Sequence, residues 1–209
     1  RIGAHVPAET YCIHEMDCSK IKPVKTGEYR EGDIRRECWS PAVVGHALND
    51  WERLNPDRKL TLASCPGVKE SVWVHNQWME RGYRACHVDA NEVLVNGERQ
   101  RGNDAREQVL DDARKGRFHL ITNCEVLLAG IDIKNIEHLV QLRPFGSLAN
   151  YVQFVGRGIR ASEGKEKCII QDHVGNSLRW GSANEDRPWE EYFPVSYTHL
   201  RAHETREDR

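Results

Sequence analysis

Residues 59–89 of this chain read KLTLASCPGVKESVWVHNQWMERGYRACHVD and contain a strand, a helix and a second strand in succession. Residues 59–64 and 84–89 are short apolar runs with the length of buried strands. Between them, the apolar side chains of residues 68–79 recur once per helical turn, and Gly82 follows as a helix stop. This order is typical of a β-α-β unit, in which the two strands run parallel.

The same alternation continues along the rest of the chain. Ser40 and Pro41 supply an N-cap and a first-turn proline for a helix over residues 41–54. Further helices are predicted at residues 104–115 and 147–160, and further strands at residues 118–122, 137–142 and 167–171. Strands that alternate with helices of ten or more residues indicate a parallel sheet with helices on both faces. We therefore predict an α/β fold, a three-layer doubly wound parallel sheet.

Three units are predicted along the chain. Residues 41–181 form the α/β domain. Residues 1–40 are polar apart from a short strand near residues 11–16, and we expect an interdomain connector or an extension at the edge of the domain. Residues 182–209 are a polar tail that we expect to be disordered. Within it, residues 196–209 resemble translated sequencing-adapter ends, with an ordinary terminus as the alternative, and neither interpretation gives the tail a function.

Composition excludes several classes of protein. No apolar run approaches the roughly 20 residues of a membrane span, so we expect no membrane partner. The seven cysteines are dispersed without a Cys-x-x-Cys pair, which argues against a zinc site or a disulfide framework and favours reduced thiols in the cytoplasm. The net charge of −2 neither requires nor excludes a nucleic-acid partner. Because the chain begins at Arg1 rather than Met, we expect a piece of a longer protein.

The sequence carries no complete catalytic motif. It lacks the GxxxxGK[ST] string of a P-loop and an Asp-Glu pair after an apolar strand, and it also lacks GxSxG, HExxH and GxGxxG. We predict no metal site in the chain. Any enzymatic activity is therefore expected to depend on residues outside it.

The helix predicted over residues 151–160, YVQFVGRGIR, is the most informative segment. One of its stripes is apolar and consists of Val152, Val155 and Ile159. A second stripe, about 130° away, consists of Gln153, Arg157 and Arg160. We expect the apolar stripe to dock on the sheet, and two guanidinium groups on one face suit a phosphate. Gly156 and Gly158 each cost the helix about 1 kcal/mol, which suggests that something approaches its backbone closely.

The string Gln-x-x-Gly-Arg-x-x-Arg at residues 153–160 resembles motif VI of superfamily-two helicases, the ATP-dependent motors that track along DNA or RNA. The resemblance implies a RecA-like C-terminal domain that faces ATP, bound with Mg²⁺ mainly by an N-terminal RecA-like domain. It also implies that Arg157 and Arg160 are catalytic arginine fingers on the γ-phosphate and that Gln153 contacts the nucleotide. The alternative is a solvated arginine face of an amphipathic helix.

Residues 122–132 look like motif V of the same family, which commonly reads Thr-Glu-Gly-x-Asp. Gly130 and Asp132 match that pattern, and the resemblance implies that they contact the nucleotide. Leu128 and Ala129 replace the usual Thr and Glu, which removes a hydroxyl that would contact nucleic acid. Without the resemblance, Asp132 would be interpreted as a helix N-cap or a turn residue.

Two further residues take a nucleic-acid role from the resemblance. Ser64 follows a strand at the place of motif IV, and Asn123 lies in the motif V segment. Ser64 is equally well interpreted as a cap for the next helix. Residues 142–144 resemble the lead into motif VI, and residues 172–176, Asp-His-Val-Gly-Asn, resemble the ending of the bacterial and phage branch related to DEAD/DEAH-type helicases.

Residues 90–103 form a polar excursion that contains Gly and Asn. Its neighbourhood carries Arg99, Arg101 and Arg106, which are suited to a nucleic-acid backbone. A solvated loop is the interpretation that the sequence favours.

The leading hypothesis is the C-terminal motor domain of an ATP-dependent helicase or translocase. Its partners would be DNA or RNA and the N-terminal RecA-like domain of the same protein, and the chain alone would be inactive. One alternative is a non-enzymatic nucleic-acid-binding module that uses the same face. Another is the motor part of a restriction or repair nuclease.

Overall fold

A computed structural model describes residues 5–25, 27–37, 39–124 and 133–187 of the chain. Within these ranges the protein forms one eight-stranded sheet with the strand order β1-β8-β7-β2-β6-β3-β4-β5. The strands are β1 (Ala8–Cys12), β2 (Thr61–Cys65), β3 (Ala85–Val88), β4 (Glu92–Val95), β5 (Glu98–Arg101), β6 (Leu120–Cys124), β7 (His138–Gln141) and β8 (Cys168–Asp172). The helices are α1 (Glu31–Glu37), α2 (Pro41–Leu54), α3 (Val68–Glu80), α4 (Asn103–Arg114), α5 (Leu148–Ile159) and α6 (Asn176–Trp180).

The six strands from β1 to β3 in that order run parallel to one another. Helix α3 connects β2 to β3, α4 connects β5 to β6 and α5 connects β7 to β8, and helices cover both faces of the sheet. The predicted doubly wound α/β fold is therefore confirmed.

Strands β4 and β5 form an antiparallel hairpin at one edge of the sheet. The prediction of a solvated loop over residues 90–103 was therefore wrong. Asn96 and Gly97 form the turn with φ values of 51° and 83°, and an Asn-Gly pair is the preferred turn of a two-residue hairpin. The Asn-Gly pair after the apolar run Val93–Val95 was the signal that the sequence offered, whereas β5 is polar throughout.

Two hydrophobic cores lie on the two faces of the sheet. Side chains of α4 and α5 pack on one face, around Leu62, Ile121 and Leu139. Side chains of α2 and α3 pack on the other face, where Trp51 and Trp78 are fully buried with ring centroids 5.9 Å apart. Because adjacent residues of a strand point to opposite faces, both cores use the same strands.

The N-terminal segment contributes the edge strand β1 and then follows the carboxyl edge of the sheet. Strand β1 pairs with β8 from Ala8 opposite Cys168 to Cys12 opposite Asp172. The segment then reaches the loop after β7 and the start of α3, where the Arg35 guanidinium binds the Glu70 carboxylate. Its own small core consists of Ile21, Tyr29 and Ile34. This segment therefore covers the edge where ligands of such sheets bind.

None of the helices in the described ranges has both the length and the apolar content needed to cross a membrane.

Candidate functional site

A row of four polar residues crosses the sheet at its carboxyl edge. Asn123 of β6 is in register with Ser64 of β2, Ser64 with Gln141 of β7, and Gln141 with Asp172 of β8. Neighbours in register on parallel strands point to the same face, so all four side chains lie on the side of α4 and α5. All four residues are buried. The structure thus brings together Ser64 and Asn123, which the sequence had selected separately.

The two predicted contact residues differ in how their side chains are used. Asn123 Nδ2 donates a 2.8 Å hydrogen bond to the Val88 carbonyl oxygen, so its amide ties β6 to β3. The Ser64 hydroxyl is buried and has no hydrogen-bond partner among the described residues. Helix α3 begins after Gly67 without a side-chain cap, so Ser64 does not cap it. A buried hydroxyl without a partner is unusual and is a candidate ligand contact.

Helix α5 begins at an N-cap formed by Ser147, whose Oγ accepts a 3.3 Å hydrogen bond from the Asn150 amide. Its buried face consists of Tyr151, Phe154, Val155 and Gly158. The predicted apolar stripe does dock on the sheet, since Val155 is buried and Val152 and Ile159 are half-buried and pack against the same core. The prediction missed the aromatic part of this face, where Phe154 packs against Phe145 with 5.4 Å between the ring centroids.

The two glycines of α5 have different surroundings. A Cβ atom on Gly158 would lie 2.6 Å from Cys168 Sγ and 2.7 Å from Leu139 Cδ1, whereas a Cβ on Gly156 would meet nothing within 4 Å. The close approach that the sequence indicated is therefore that of the sheet at Gly158. Gly156 leaves open space on the side of the helix that faces away from the core.

The polar face of α5 carries Gln153, which is exposed, and Arg157, which is half-buried. These residues are four apart and therefore share one face of the helix. Arg160 lies just beyond the helix, at the C-cap, with φ −56° and ψ 133°. The predicted helix end was one residue too late, because Val6 N–H donates to the Ile159 carbonyl and residue 160 pairs with His5 in a β-bridge. Arg160 is thus placed by extended backbone rather than by the helical stripe.

The loop between β7 and α5 is held by Glu28 of the N-terminal segment. The Glu28 carboxylate accepts a 2.7 Å hydrogen bond from Arg143 Nη2 and a second hydrogen bond from Asn150 Nδ2. A Cβ atom on Gly146 would overlap the Gly27 carbonyl oxygen, so the two backbones lie in direct contact. This contact between residues far apart in the sequence fixes the start of α5.

The segment after β8 supports the same loop. Asp172 accepts hydrogen bonds from the Val174 amide at 3.1 Å and from the Ser177 amide and hydroxyl at 2.7 Å each. Asn176 Nδ2 donates to Gln141 Oε1 at 3.0 Å and to the Arg143 carbonyl at 2.9 Å, while its Oδ1 accepts from the Phe145 amide at 2.9 Å. Asp172 and Asn176 are therefore scaffold residues that join β8, β7 and the loop before α5.

Residues 54–162 match the family described as "Helicase conserved C-terminal domain". The chain belongs to this helicase family. The predicted membership of superfamily two and the predicted RecA-like domain are thereby confirmed.

Relatives and solved structures agree with this assignment. The chain is 34% identical over 153 residues to the putative mitochondrial ATP-dependent helicase irc3 of Schizosaccharomyces pombe, a match that covers 73% of this chain and 24% of that protein. The C-terminal domain of the DEAD-box protein Dbp5 has the same fold, with a TM-score of 0.55, 17% identity, and 94% and 89% of the two chains covered. Domain 2 of the DEAD-box helicase Mss116p, solved with an RNA duplex, also has this fold. Its TM-score is 0.52 at 15% identity, and the match covers 84% of this chain and 57% of that chain.

The chain thus spans about a quarter of the length of the fission yeast helicase that it matches. Of the residues predicted for helicase motif V, Asn123 is described, whereas Gly130 and Asp132 lie outside the described residues.

A buried lysine that the sequence analysis missed holds the end of the helicase motif VI helix. Lys165 Nζ donates hydrogen bonds to the carbonyl oxygens of Lys134, at 3.3 Å, and of Ile136 and Gly158. Burial lowers the pKa of the Lys165 ammonium from its usual value. Three carbonyl acceptors match the three donors of an ammonium group. Lys165 therefore joins α5 to the segment that follows motif V, and its position after a glycine in a turn gave no sign of burial.

A chain of hydrogen bonds lies under α2 on the opposite face of this helicase domain. His138 Nε2 lies 3.1 Å from Gln171 Oε1, and Gln171 Nε2 donates to the Ala47 carbonyl at 2.8 Å and lies 2.6 Å from His173 Nε2. The Gln171 amide donates toward His173, so that ring must accept and stay neutral. Burial lowers the pKa of each histidine to about 4.

Among the described residues, no three or more His, Cys, Asp or Glu side chains are grouped to hold a metal ion. Mg²⁺ in nucleotide sites is usually held by one or two carboxylates together with the phosphates, so the described residues offer no ligand set that would hold the ion without a nucleotide.

Proposed function

We propose that this chain is the C-terminal motor domain of an ATP-dependent helicase or translocase that acts on DNA or RNA. The observation that carries the proposal is the geometry of α5 in a member of this family. One face of the helix is locked onto the sheet at Gly158, and another face carries Gln153, which is exposed, and Arg157, which is half-buried. Rigid support on one side and a guanidinium group on the other are what an arginine finger requires.

The partner in this proposal is an N-terminal RecA-like domain that binds ATP through a P-loop. Closure of the two domains would bring Arg157 and Arg160 to the γ-phosphate, where they stabilise the charge that develops during hydrolysis. Gln153, one turn before Arg157, would contact the same nucleotide. Gly130 and Asp132 would add nucleotide contacts from motif V. We place Mg²⁺ with the ATP on the N-terminal domain, because this ion is usually bound through nucleotide phosphates and one or two carboxylates.

The nucleic-acid contacts in this proposal lie on the carboxyl edge of the sheet. Ser64 has a buried hydroxyl that can donate to a phosphate oxygen or a sugar. Asn123 lies beside it in register, with one amide N–H committed to Val88. Both residues lie near the ends of rigid β-strands. Reopening of the two domains after ATP hydrolysis would therefore move their contact along the nucleic-acid strand.

We infer the location of the protein in the cell from the chemistry of its cysteines. Cys65, Cys86, Cys124 and Cys168 are buried free thiols. A reducing compartment preserves such thiols, so the cytoplasmic location stays our prediction.

The experiment compares ATP hydrolysis by two proteins, with and without single-stranded DNA or RNA. The first is a longer protein in which this chain follows its P-loop domain, and the second is the 209-residue chain alone. We expect nucleic-acid-stimulated turnover from the first and none from the second. ATP hydrolysis by the chain alone would contradict the division of the site between two domains. Nucleic-acid binding by the longer protein without any ATP turnover would favour the non-enzymatic binding module.

A further inference from the structure

The N-terminal segment carries an open groove of about 720 Å³ whose lining is basic. Its charged lining consists of Lys20, Lys22, Lys25, Arg30, Arg36 and Asp33. Asp33 pairs with Arg36 at 2.9 Å, so the other four cations supply the net charge of the groove. The whole chain has a net charge of −2. Positive charge is therefore concentrated here against the balance of the protein, as in the electrostatic footprint of a polyanion-binding surface.

The basic side chains are free to receive a ligand. Lys22, Lys25 and Arg30 are exposed and form no salt bridge with any described residue. The groove offers Pro23 and Val24 as its apolar lining and no aromatic side chain. Protein-binding surfaces are usually built around buried aromatic anchors, whereas a phosphate backbone can be contacted by Lys and Arg side chains without an aromatic anchor.

The groove is held in shape by the fold. Ile21, Tyr29 and Ile34 are buried together beneath it. A turn closes between Val24 and Glu28, with the Val24 amide 2.7 Å from the Glu28 carbonyl and the Gly27 amide 2.8 Å from the Val24 carbonyl. Gly27 takes φ 78° in this turn, a conformation that suits glycine. The cations are thus presented from a packed segment.

The position of the groove connects it to the helicase site. Glu28 leaves the same turn to bind Arg143 and Asn150, which flank the start of α5. The segment also runs along the carboxyl edge of the sheet, beside the row that contains Ser64. We propose that this groove binds the phosphate backbone of a single nucleic-acid strand, independently of sequence. The proposal rests on the proposed function and extends the nucleic-acid path beyond the motif IV and motif V residues.

The test uses the triple variant Lys20→Glu/Lys22→Glu/Lys25→Glu of the 209-residue chain. Binding of a fluorescein-labelled, mixed-sequence 30-nucleotide single strand, as DNA and as RNA, is followed by anisotropy between 50 and 300 mM KCl. We expect affinity to fall at least about tenfold. We also expect the slope of log Kd against log salt to fall by about 2, because each phosphate contact on a single strand contributes about 0.7.

The matched control is Lys59→Glu/Lys115→Glu/Lys167→Glu. These lysines are exposed, at 47%, 55% and 49%, and lie outside the groove. The control changes the net charge by the same amount, so it separates the effect of position from that of total charge. We expect its affinity for the labelled strand to fall less than threefold. Equal loss in both variants would overturn the proposal, as would unchanged binding in the groove variant.

Thermal unfolding of each variant checks the fold. If the charge-reversed variant is unfolded, Lys20→Gln/Lys22→Gln/Lys25→Gln repeats the test with the charges removed. Failure of the groove is distinguishable from failure of the function. If the longer protein hydrolyses ATP but the groove variant binds the strand as the parent does, only the groove proposal is overturned. If the groove variant loses strand binding and the longer protein has no ATPase activity, the groove is supported and only the proposed function fails. A wild-type chain that binds no strand but binds an acidic protein overturns it.

Discussion

Gly158 lies so close to Leu139 that a Cβ atom at residue 158 would be 2.7 Å from Leu139 Cδ1. This contact, together with Cys168 on the neighbouring strand, sets the distance between α5 and the sheet. The arginine helix is therefore positioned by a glycine that contacts the core, and its depth in the domain is fixed by packing.

Gly158→Ala should destabilise the domain by about 1–3 kcal/mol, because the added methyl group must displace α5 from β7 and β8. Gly156→Ala is the matched control. With nothing within 4 Å of its new Cβ atom, it should be neutral or stabilise by about 0.5–1 kcal/mol. Urea unfolding of the two variants measures the difference, and equal stabilities would show that the close packing at Gly158 does not control the helix.

Asn176→Asp should cost at least about 2 kcal/mol of folding free energy. The Nδ2 group that now donates to Gln141 and Arg143 would become a carboxylate oxygen facing two acceptors in a buried site. The exposed Asn91→Asp change is the control and should lie within about 0.5 kcal/mol of the parent. Chemical denaturation compares them, and a neutral Asn176→Asp variant would rule out the scaffold role of this residue.

Glu28 and Arg143 should be energetically coupled although 115 residues separate them in the chain. Glu28→Ala leaves a buried guanidinium group without its carboxylate and should destabilise by about 3 kcal/mol, whereas Arg143→Met together with Glu28→Ala should recover part of that loss. A double-mutant cycle gives the coupling energy, for which we expect about 1–3 kcal/mol. Additive effects would mean that the N-terminal segment does not hold the loop before α5.

The stability of the domain should decrease as the pH is lowered from about 6.5 to 4. His138 and His173 have a pKa near 6.5 when unfolded and about 4 when folded, so the unfolded chain binds more protons in that window. The free energy of unfolding therefore rises as the pH increases through this window, and stability is lost as the pH falls. Each histidine contributes up to about 3 kcal/mol.

His173→Gln removes one titrating group while keeping an acceptor for Gln171. Urea midpoints at pH 7.5, 6, 5 and 4.5 should show a shallower decline for this variant than for the parent. Parallel declines would indicate that His173 is not the group responsible.

Much of the fold was predictable because its signals are local. The apolar runs at β2, β3, β6, β7 and β8 and the N-cap Ser40 lie in the sequence itself, and the structure confirms them. The hairpin β4–β5 was also encoded, by Asn96-Gly97, but its exposed arginine-rich second strand resembled a loop.

The remaining features depend on contacts between distant segments, which a single sequence does not display. Nothing around Glu28 indicates that it meets Arg143, and nothing around Lys165 indicates three buried carbonyl acceptors. The aromatic part of the buried face of α5, Tyr151 and Phe154, packs against Phe145, which lies outside the helix. Ser64 and Asn123 were selected separately, and their register on neighbouring parallel strands is a feature that only the structure shows.

In the proposed mechanism, Arg157 acts on ATP held by another domain. The most direct measurement is steady-state ATP turnover of the longer protein with Arg157→Ala, beside the exposed Arg53→Ala as control, with ATP affinity measured in parallel. We predict that turnover falls by about 10³-fold or more in Arg157→Ala, that ATP affinity changes little, and that Arg53→Ala matches the parent. Turnover in Arg157→Ala equal to that of the parent would contradict the role of Arg157 as an arginine finger.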